Sequence, residues 1–487
     1  MPHVLGESHH ADDSRRQRSP IAKTWELAPP AEDHKIMKDS RSKTTDGVKA
    51  PWYGDQRSRR TTADPRRVLI LTVIDQGASS LSNFALSIVV AHYSGPRELG
   101  IFALLTTTYI LTQGFVRSFT SDCLLTRSET DDDVMRTYEG GGYLLAFFIA
   151  TILSIALLFA CGLMSTAFGL PFLVFAVSFP LMALQDYSRY IGISRHNPGY
   201  SIRLDTAWVI LFIGAFAVLR STDHVSLPWL IGAWTGAGAL VGLTTLRSHL
   251  VVHSARTMLR FWIESERAVG VRFASQFMLI TSWTYFIFYL LVFVVSIDAV
   301  GQIKLAQLAL GPVVVMAAGV QSALVSLASK KFRVDPRSAE RFLFSIGCVM
   351  AAVTALWTAL MFYLPVHSMA KLLGPTWPEA RMVVPFMGLS FVLASFSGVA
   401  NSGLRAMRAA KENLRLAIVM LPFVFVPCLG GAALWGARGF AAGLSVAQGI
   451  YAMLGWIVMN RTARHFDPDA VRAPETEATL QAPGAEV

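Results

Sequence analysis

The sequence predicts an all-α integral membrane protein of about twelve transmembrane helices, arranged as two six-helix bundles related by a parallel repeat. Three observations predict it. First, 53% of the 487 residues are hydrophobic and only 16% are charged, with a mean hydropathy of +0.44. A soluble globular chain carries about 25% charged residues, so this one has too few to cover a water-facing surface. Second, the charges cluster in the two tails and in short stretches between apolar runs, and the basic ones alternate from one connection to the next. Third, a pattern of helix, turn and helix recurs at an offset of 201 residues.

Residues 1–66 mix both charge signs with Pro, Ser and Thr and have no apolar core. They are therefore no signal peptide and read as a disordered basic cytoplasmic tail, within which Met37 is an alternative start. Twelve apolar runs follow, each near the ~20 residues a span needs: 68–92, 99–119, 141–164, 168–188, 202–220, 227–246, 271–296, 301–327, 341–364, 381–404, 414–434 and 438–460. Gly311-Pro312 and Pro422 interrupt two of them, as neighbouring helices in a membrane allow. Residues 67–246 make the N-terminal bundle, 247–270 a cytoplasmic linker and 271–460 the C-terminal bundle. Residues 461–487 lack helical periodicity and read as a second disordered cytoplasmic tail.

Loop charge orients these spans. With the N-terminus inside, the inner connections carry twenty Lys and Arg; the outer ones carry six, Arg97, Arg220, Lys304, Lys371, Arg381 and Arg438. That bias places both termini in the cytoplasm of a multi-pass cell-membrane protein. It also accounts for the net charge of +10 without a nucleic-acid partner. Cys123, Cys161, Cys348 and Cys428 share no metal-like spacing and read as buried, reduced thiols.

The repeat is visible in "VVAHYSGPRELGIFALLTTTYIL" (89–111) and "LVFVVSIDAVGQIKLAQLALGPV" (291–313), which match Gly100 to Gly301 and Asp75 to Gln276. Six spans per half leave both halves in the same orientation. Transporters built on such repeats bind cargo between the halves and expose it to each side in turn.

Polar side chains form stripes at helical spacing. Thr72, Asp75, Gln76, Ser79, Ser82 and Asn83 share one sector of the first span, of about 120°. Thr106, Tyr109, Gln113, Arg117 and Thr120 share a face of the second, and Arg272, Ser275, Gln276 and Trp283 a face of the seventh. The Ser and Thr residues suit helix packing. Asp75 and Arg117 are costly in hydrocarbon and call for a cavity, a partner or a function. Three roles fit Asp75: binding a coupling ion, H+ or Na+; pairing with Arg117; or lying near the inner interface. Asp186 and Arg189 can pair along one helix and, with Arg203 and Asp205, form a network at the cytoplasmic edge. Lys304 can snorkel outward. No nucleophile–base pair, metal motif or phosphate loop appears, and His196, His224 and His253 read as solvated loop residues, so an enzyme is not expected.

Three stretches carry a resemblance: "DQGASSLSNFALSIVVAHYSGPRELGIFALLTTTYIL" with "RSFTSDCLLTR" (75–127), "FPLMALQDYSRYIGISRHNP" (179–198) and "LLGPTWPEARMVVPFMGLSFVLASFSGVANSGLRAMRAA" (372–410). Each resembles Wzx-type polysaccharide biosynthesis and export flippases, of the superfamily that includes the multidrug and toxin extrusion (MATE) antiporters. The resemblance implies a V-shaped transporter around a central cavity. It implies a polyprenyl-pyrophosphate-linked oligosaccharide as cargo, turned from the inner to the outer leaflet. Membrane lipids, and a polysaccharide polymerase or glycosyltransferases, would be its partners. Arg117, Arg272 and Lys304 are then candidates for the pyrophosphate, and Asn83, Gln113, Gln276 and Gln307 for sugar hydroxyls. No cofactor is expected beyond a coupling ion. The alternatives are a cation-coupled antiporter of small organic cations, which Asp75 favours, and a non-transporting scaffold.

Overall fold

The computed structural model describes residues 83–126, 132–163, 166–195, 197–249, 254–407 and 409–466. Asp75, most of the polar stripe of the first span, the N-terminal tail, His196 and His253 lie outside them.

All regular structure among the described residues is helical. The end of the first span is α1, Asn83–Tyr93. Then come α2 (Pro96–Phe119), the short α3 (Ser121–Thr126), α4 (Asp132–Gly162), α5 (Thr166–Ser194), α6 (Pro198–Ser221) and α7 (Leu227–His249). Pro96 opens α2 at the position where a missing N–H costs nothing, and Pro198 does the same for α6. The second half begins with α8 (Ala255–Gln276), which passes through a π turn (Phe277–Thr281) into α9 (Ser282–Val294). It continues with α10 (Ile297–Ala309), α11 (Gly311–Phe332), α12 (Pro336–Tyr363), the short α13 (Val366–Leu373) and α14 (Trp377–Arg381), α15 (Val384–Ala406) and α16 (Ala410–Arg464).

Eight of these helices are long and apolar enough to cross a membrane, and up to ten spans result if each of two bent pairs counts as one and the α16 run is counted once. The α16 run folds back on itself: Trp435 and Gly436 leave helical geometry, and Gly436 takes φ +62°, which only glycine adopts freely. The arms 410–434 and 437–464 then lie antiparallel, with Gly431 against the backbone of Gly439 and Gly443 against that of Pro427. Glycines allow this close approach.

Several expectations from sequence change in detail. The eighth span is two helices, α10 and α11, bent by 61°, because Pro312 cannot donate to the turn before it. Trp357 Nε1 instead donates to the Ala309 carbonyl at 3.0 Å, so the broken turn is satisfied from α12. The stretch read as a linker is largely α8, whose Met258, Trp262, Gly270 and Ala274 are buried at four-residue spacing or multiples of it. Trp262 stacks on Phe119 and Tyr138, over a groove left by Gly141 and Gly142. The last helix runs three residues past Arg461, to Arg464. Cys348 is exposed on α12, against expectation, whereas Cys123, Cys161 and Cys428 are buried; its face of the helix is not covered by the described residues.

The repeat has a direct structural counterpart. A side chain on Gly100 would strike the Ile297 carbonyl, and one on Gly301 the Pro96 carbonyl. Each residue here is the other's equivalent at the offset of 201, so α2 and α10 cross through a reciprocal contact, as a two-fold axis between the halves requires. Around this crossing one buried core joins both halves, including Leu99, Leu104, Val300, Ile303, Trp377 and Phe440. At the opposite, Arg-rich end a second core consists of α11, α12, α15 and α16 alone, through Leu324, Phe332, Leu343, Leu404 and Met459. The halves thus meet closely at the Gly100–Gly301 end; at the basic end the core of α11, α12, α15 and α16 is separate, while α8 packs on the N-terminal half through Trp262.

Candidate functional site

The polar face of α2 points into the N-terminal half, towards α5 and α7. Tyr109 lies edge-on to Phe175 and Trp234. One and two turns on, Gln113 and Arg117 meet Asp186 of α5. Arg117 grips it with two donors, Nε to Oδ2 at 2.7 Å and Nη2 to Oδ1 at 2.6 Å. Gln113 Nε2 donates to the same Oδ2 at 2.7 Å. Arg189, one turn along α5, lies 3.5 Å from Asp186 Oδ1 and 2.9 Å from Asp205 Oδ2 on α6. Gln185 Nε2 donates to Asp205 Oδ1 at 3.1 Å.

Two carboxylates and two guanidiniums therefore form one balanced lattice. Asp186, Arg189 and Asp205 have side chains 5%, 6% and 3% exposed, whereas Arg117 is 34% exposed and packs over the Tyr190 ring. Charge in a membrane interior is tolerated in this paired, hydrogen-bonded form. Arg117 is the member whose charge also reaches outward. Nearer the basic end a second cluster repeats the chemistry: Arg195 forks Glu139 at 2.6 and 2.8 Å and reaches Asp132 at 3.1 Å.

The residues singled out from sequence do not converge on one point. Gln113 and Arg117 come together on Asp186, and Gln113 is buried inside the N-terminal half. The Asp186–Arg189 pair forms as expected and Asp205 joins it. Arg203 stays out, exposed, with its guanidinium at the Gly199 carbonyl and over the Tyr200 ring. Lys304 and Gln307 are half-buried on α10, and the Lys304 ammonium lies over the Phe102 ring of α2 at 5.7 Å, one turn past the crossing. Arg272 and Gln276 are exposed on α8, and Asn83 is exposed at the described start of α1.

Sequence reasoning passed over four polar residues of α11, α15 and α16. Ser397 Oγ on α15 donates to Gln448 Oε1 on α16 at 3.1 Å. The amide of Gln321 on α11 lies against Gly398, and Asn401 Oδ1 is buried with no partner among the described residues. These are amides inside apolar spans, a signal present in the sequence but carrying no charge to draw attention.

No family model matches the sequence, and no curated protein does. Solved structures match its fold. A multidrug-resistance MATE-family transporter of the MOP superfamily, in its inward-facing conformation, superposes with a TM-score of 0.61 at 15% identity, covering 80% of this chain and 95% of that one. The outward-facing conformation of such a transporter gives 0.56 at 14%, covering 82% and 96%. A MOP-superfamily transporter from Pyrococcus furiosus, described as having a binding pocket of reverse polarity that suggests a different function, gives 0.55 at 13%, covering 82% and 95%. The fold is that of MOP-superfamily transporters, and the chain is a multi-pass membrane protein.

Proposed function

We propose that the protein is an alternating-access transporter that turns an anionic, lipid-linked oligosaccharide, carried on polyprenyl pyrophosphate, from the inner to the outer leaflet. The observation that carries this reading is the polarity of the interior. Asp186 and Asp205 are both held by arginine, so neither acid of this lattice is left unpaired to receive an organic cation. Arg117, by contrast, is the outward-reaching member of its lattice. A partly exposed guanidinium on a rigid helix suits a phosphate, which it can grip through more than one donor. The Pyrococcus transporter, whose pocket of reverse polarity is described as suggesting a different function, is similar in fold at 13% identity and is the neighbour with which this reading is compatible.

Close packing of the halves at the Gly100–Gly301 crossing and a separate core of α11, α12, α15 and α16 at the basic end suit loading from the inner leaflet if the basic end is cytoplasmic, as the loop charges favour. In proteoliposomes, a labelled polyprenyl-pyrophosphate oligosaccharide should change leaflet at a rate that depends on this protein, and Arg117→Ala should slow it. Equal rates with and without protein would sink the reading. The second reading, a cation-coupled MATE-type antiporter, is favoured by the named activity of the inward-facing neighbour and by Asp75.

A further inference from the structure

The two halves share a fold but not a chemistry. The N-terminal half ties α2, α5 and α6 together with charges. In the C-terminal half, where α11 and the second arm of α16 meet α15, the polar groups are neutral: Gln321, Ser397, Asn401 and Gln448. The acids of α10 to α16, namely Asp298, Asp335, Glu340, Glu379 and Glu412, all sit at or near helix ends or in the short α14.

Three facts make this more than a seam between helices. At about 100° per residue, Asn401 points between the directions of Ser397, which faces Gln448, and Gly398, which faces Gln321. It therefore aims at the corner where α11 and α16 both meet α15. Gly398 carries no side chain, and any added Cβ would collide with the Gln321 amide, so the glycine makes room for that amide. Asn401 Oδ1 is buried and unpartnered among the described residues. Amides that merely glued these helices would close their hydrogen bonds on one another, and a buried acceptor left open is costly. One turn towards the basic end, Arg405 follows Asn401 and is exposed.

We propose that Gln321, Ser397, Asn401 and Gln448 form a binding site for a neutral, hydroxyl-bearing group, the sugar portion of the cargo. Amides both donate and accept, so they match hydroxyls, which do the same. The open Oδ1 of Asn401 receives a hydroxyl proton, and the amide N–H groups of Gln321 and Gln448 donate to hydroxyl oxygens. The identity of the ligand rests on the flippase reading; the site itself rests on the geometry of the C-terminal half.

The test measures equilibrium binding to the full-length protein in detergent. Three probes are used: polyprenyl pyrophosphate bearing a neutral trisaccharide, the same lipid without sugar, and the free trisaccharide. Asn401→Leu should weaken binding of the sugar-bearing lipid about tenfold, the worth of one well-made hydrogen bond, and leave the sugarless lipid unchanged. Because it removes an unpaired buried acceptor, it should leave the melting temperature equal or higher. Gln321→Leu should behave alike. Unchanged binding of the sugar-bearing lipid overturns the proposal. So does an equal loss for both lipids together with a lower melting temperature, which marks a structural amide. So does equal affinity of the native protein for the two lipids, which would leave the flippase reading standing. If the native protein binds neither lipid, that reading fails. The site is then judged on the free trisaccharide: binding that Asn401→Leu removes keeps it, and no binding ends it.

Discussion

Arg117 and Asp186 form a pair that is not symmetric towards water. The carboxylate is 5% exposed and the guanidinium 34%. Removing the arginine leaves a buried anion with only the Gln113 amide and the more distant Arg189, whereas removing the aspartate leaves a cation that can turn outward. Arg117→Met should therefore cost about 3 kcal/mol, the lower end for breaking a buried pair. Asp186→Leu should cost clearly less, since Arg189 keeps Asp205. Thermal unfolding in detergent checks the order, and the double variant should recover much of the loss. The arginine was legible in sequence as a costly residue on a polar stripe. Its partner was not, because the pair is 69 residues apart and only the packing of α2 on α5 chooses Asp186. The spacing within α5 did reveal Asp186 with Arg189, since three residues along a helix is a local fact.

The crossing of α2 and α10 sets what the two halves can do at the Gly100–Gly301 end. Gly100 and Gly301 each face a carbonyl of the other helix, and backbone cannot yield to a side chain as another side chain would. Gly301→Val should wedge the helices apart. With native cysteines replaced, Leu99→Cys, at a position 1% exposed, should react slowly with a maleimide in the otherwise unchanged chain and much faster once Gly301→Val is added. The glycine match was legible at its offset; the reciprocal contact was not, because sequence gives equivalence and not distance. α8 shows the opposite case. Its four-residue apolar spacing lay in plain view, but its many charges made it read as a linker, and only the Gly141–Gly142 groove shows what the stripe is for. Trp262→Ala should cost about 3–5 kcal/mol and expose α8. The checks are a lower melting temperature and faster tryptic cleavage at the exposed Arg256, Arg260 and Arg267.

For the molecule as a whole, the two halves are alike in path and unlike in charge, and that difference bears on how transport is driven. A coupling cation needs a carboxylate that is ionised and unoccupied. Asp186 and Asp205 are occupied by Arg117 and Arg189, and Glu139 by Arg195, so a proton or Na+ would have to displace a guanidinium that cannot itself deprotonate. Asp75 lies outside the described residues, and its equivalent in the second half is the uncharged Gln276. If an ion gradient accelerates flux, the acceleration should therefore vanish in Asp75→Asn while the gradient-free rate persists. Asp205→Asn should instead lower the melting temperature and keep the response to the gradient. The measurement is flux in proteoliposomes with and without an imposed Na+ or pH gradient. A gradient response that survives Asp75→Asn but disappears in Asp205→Asn would show that the arginine lattice opens during the cycle and is itself the coupling site.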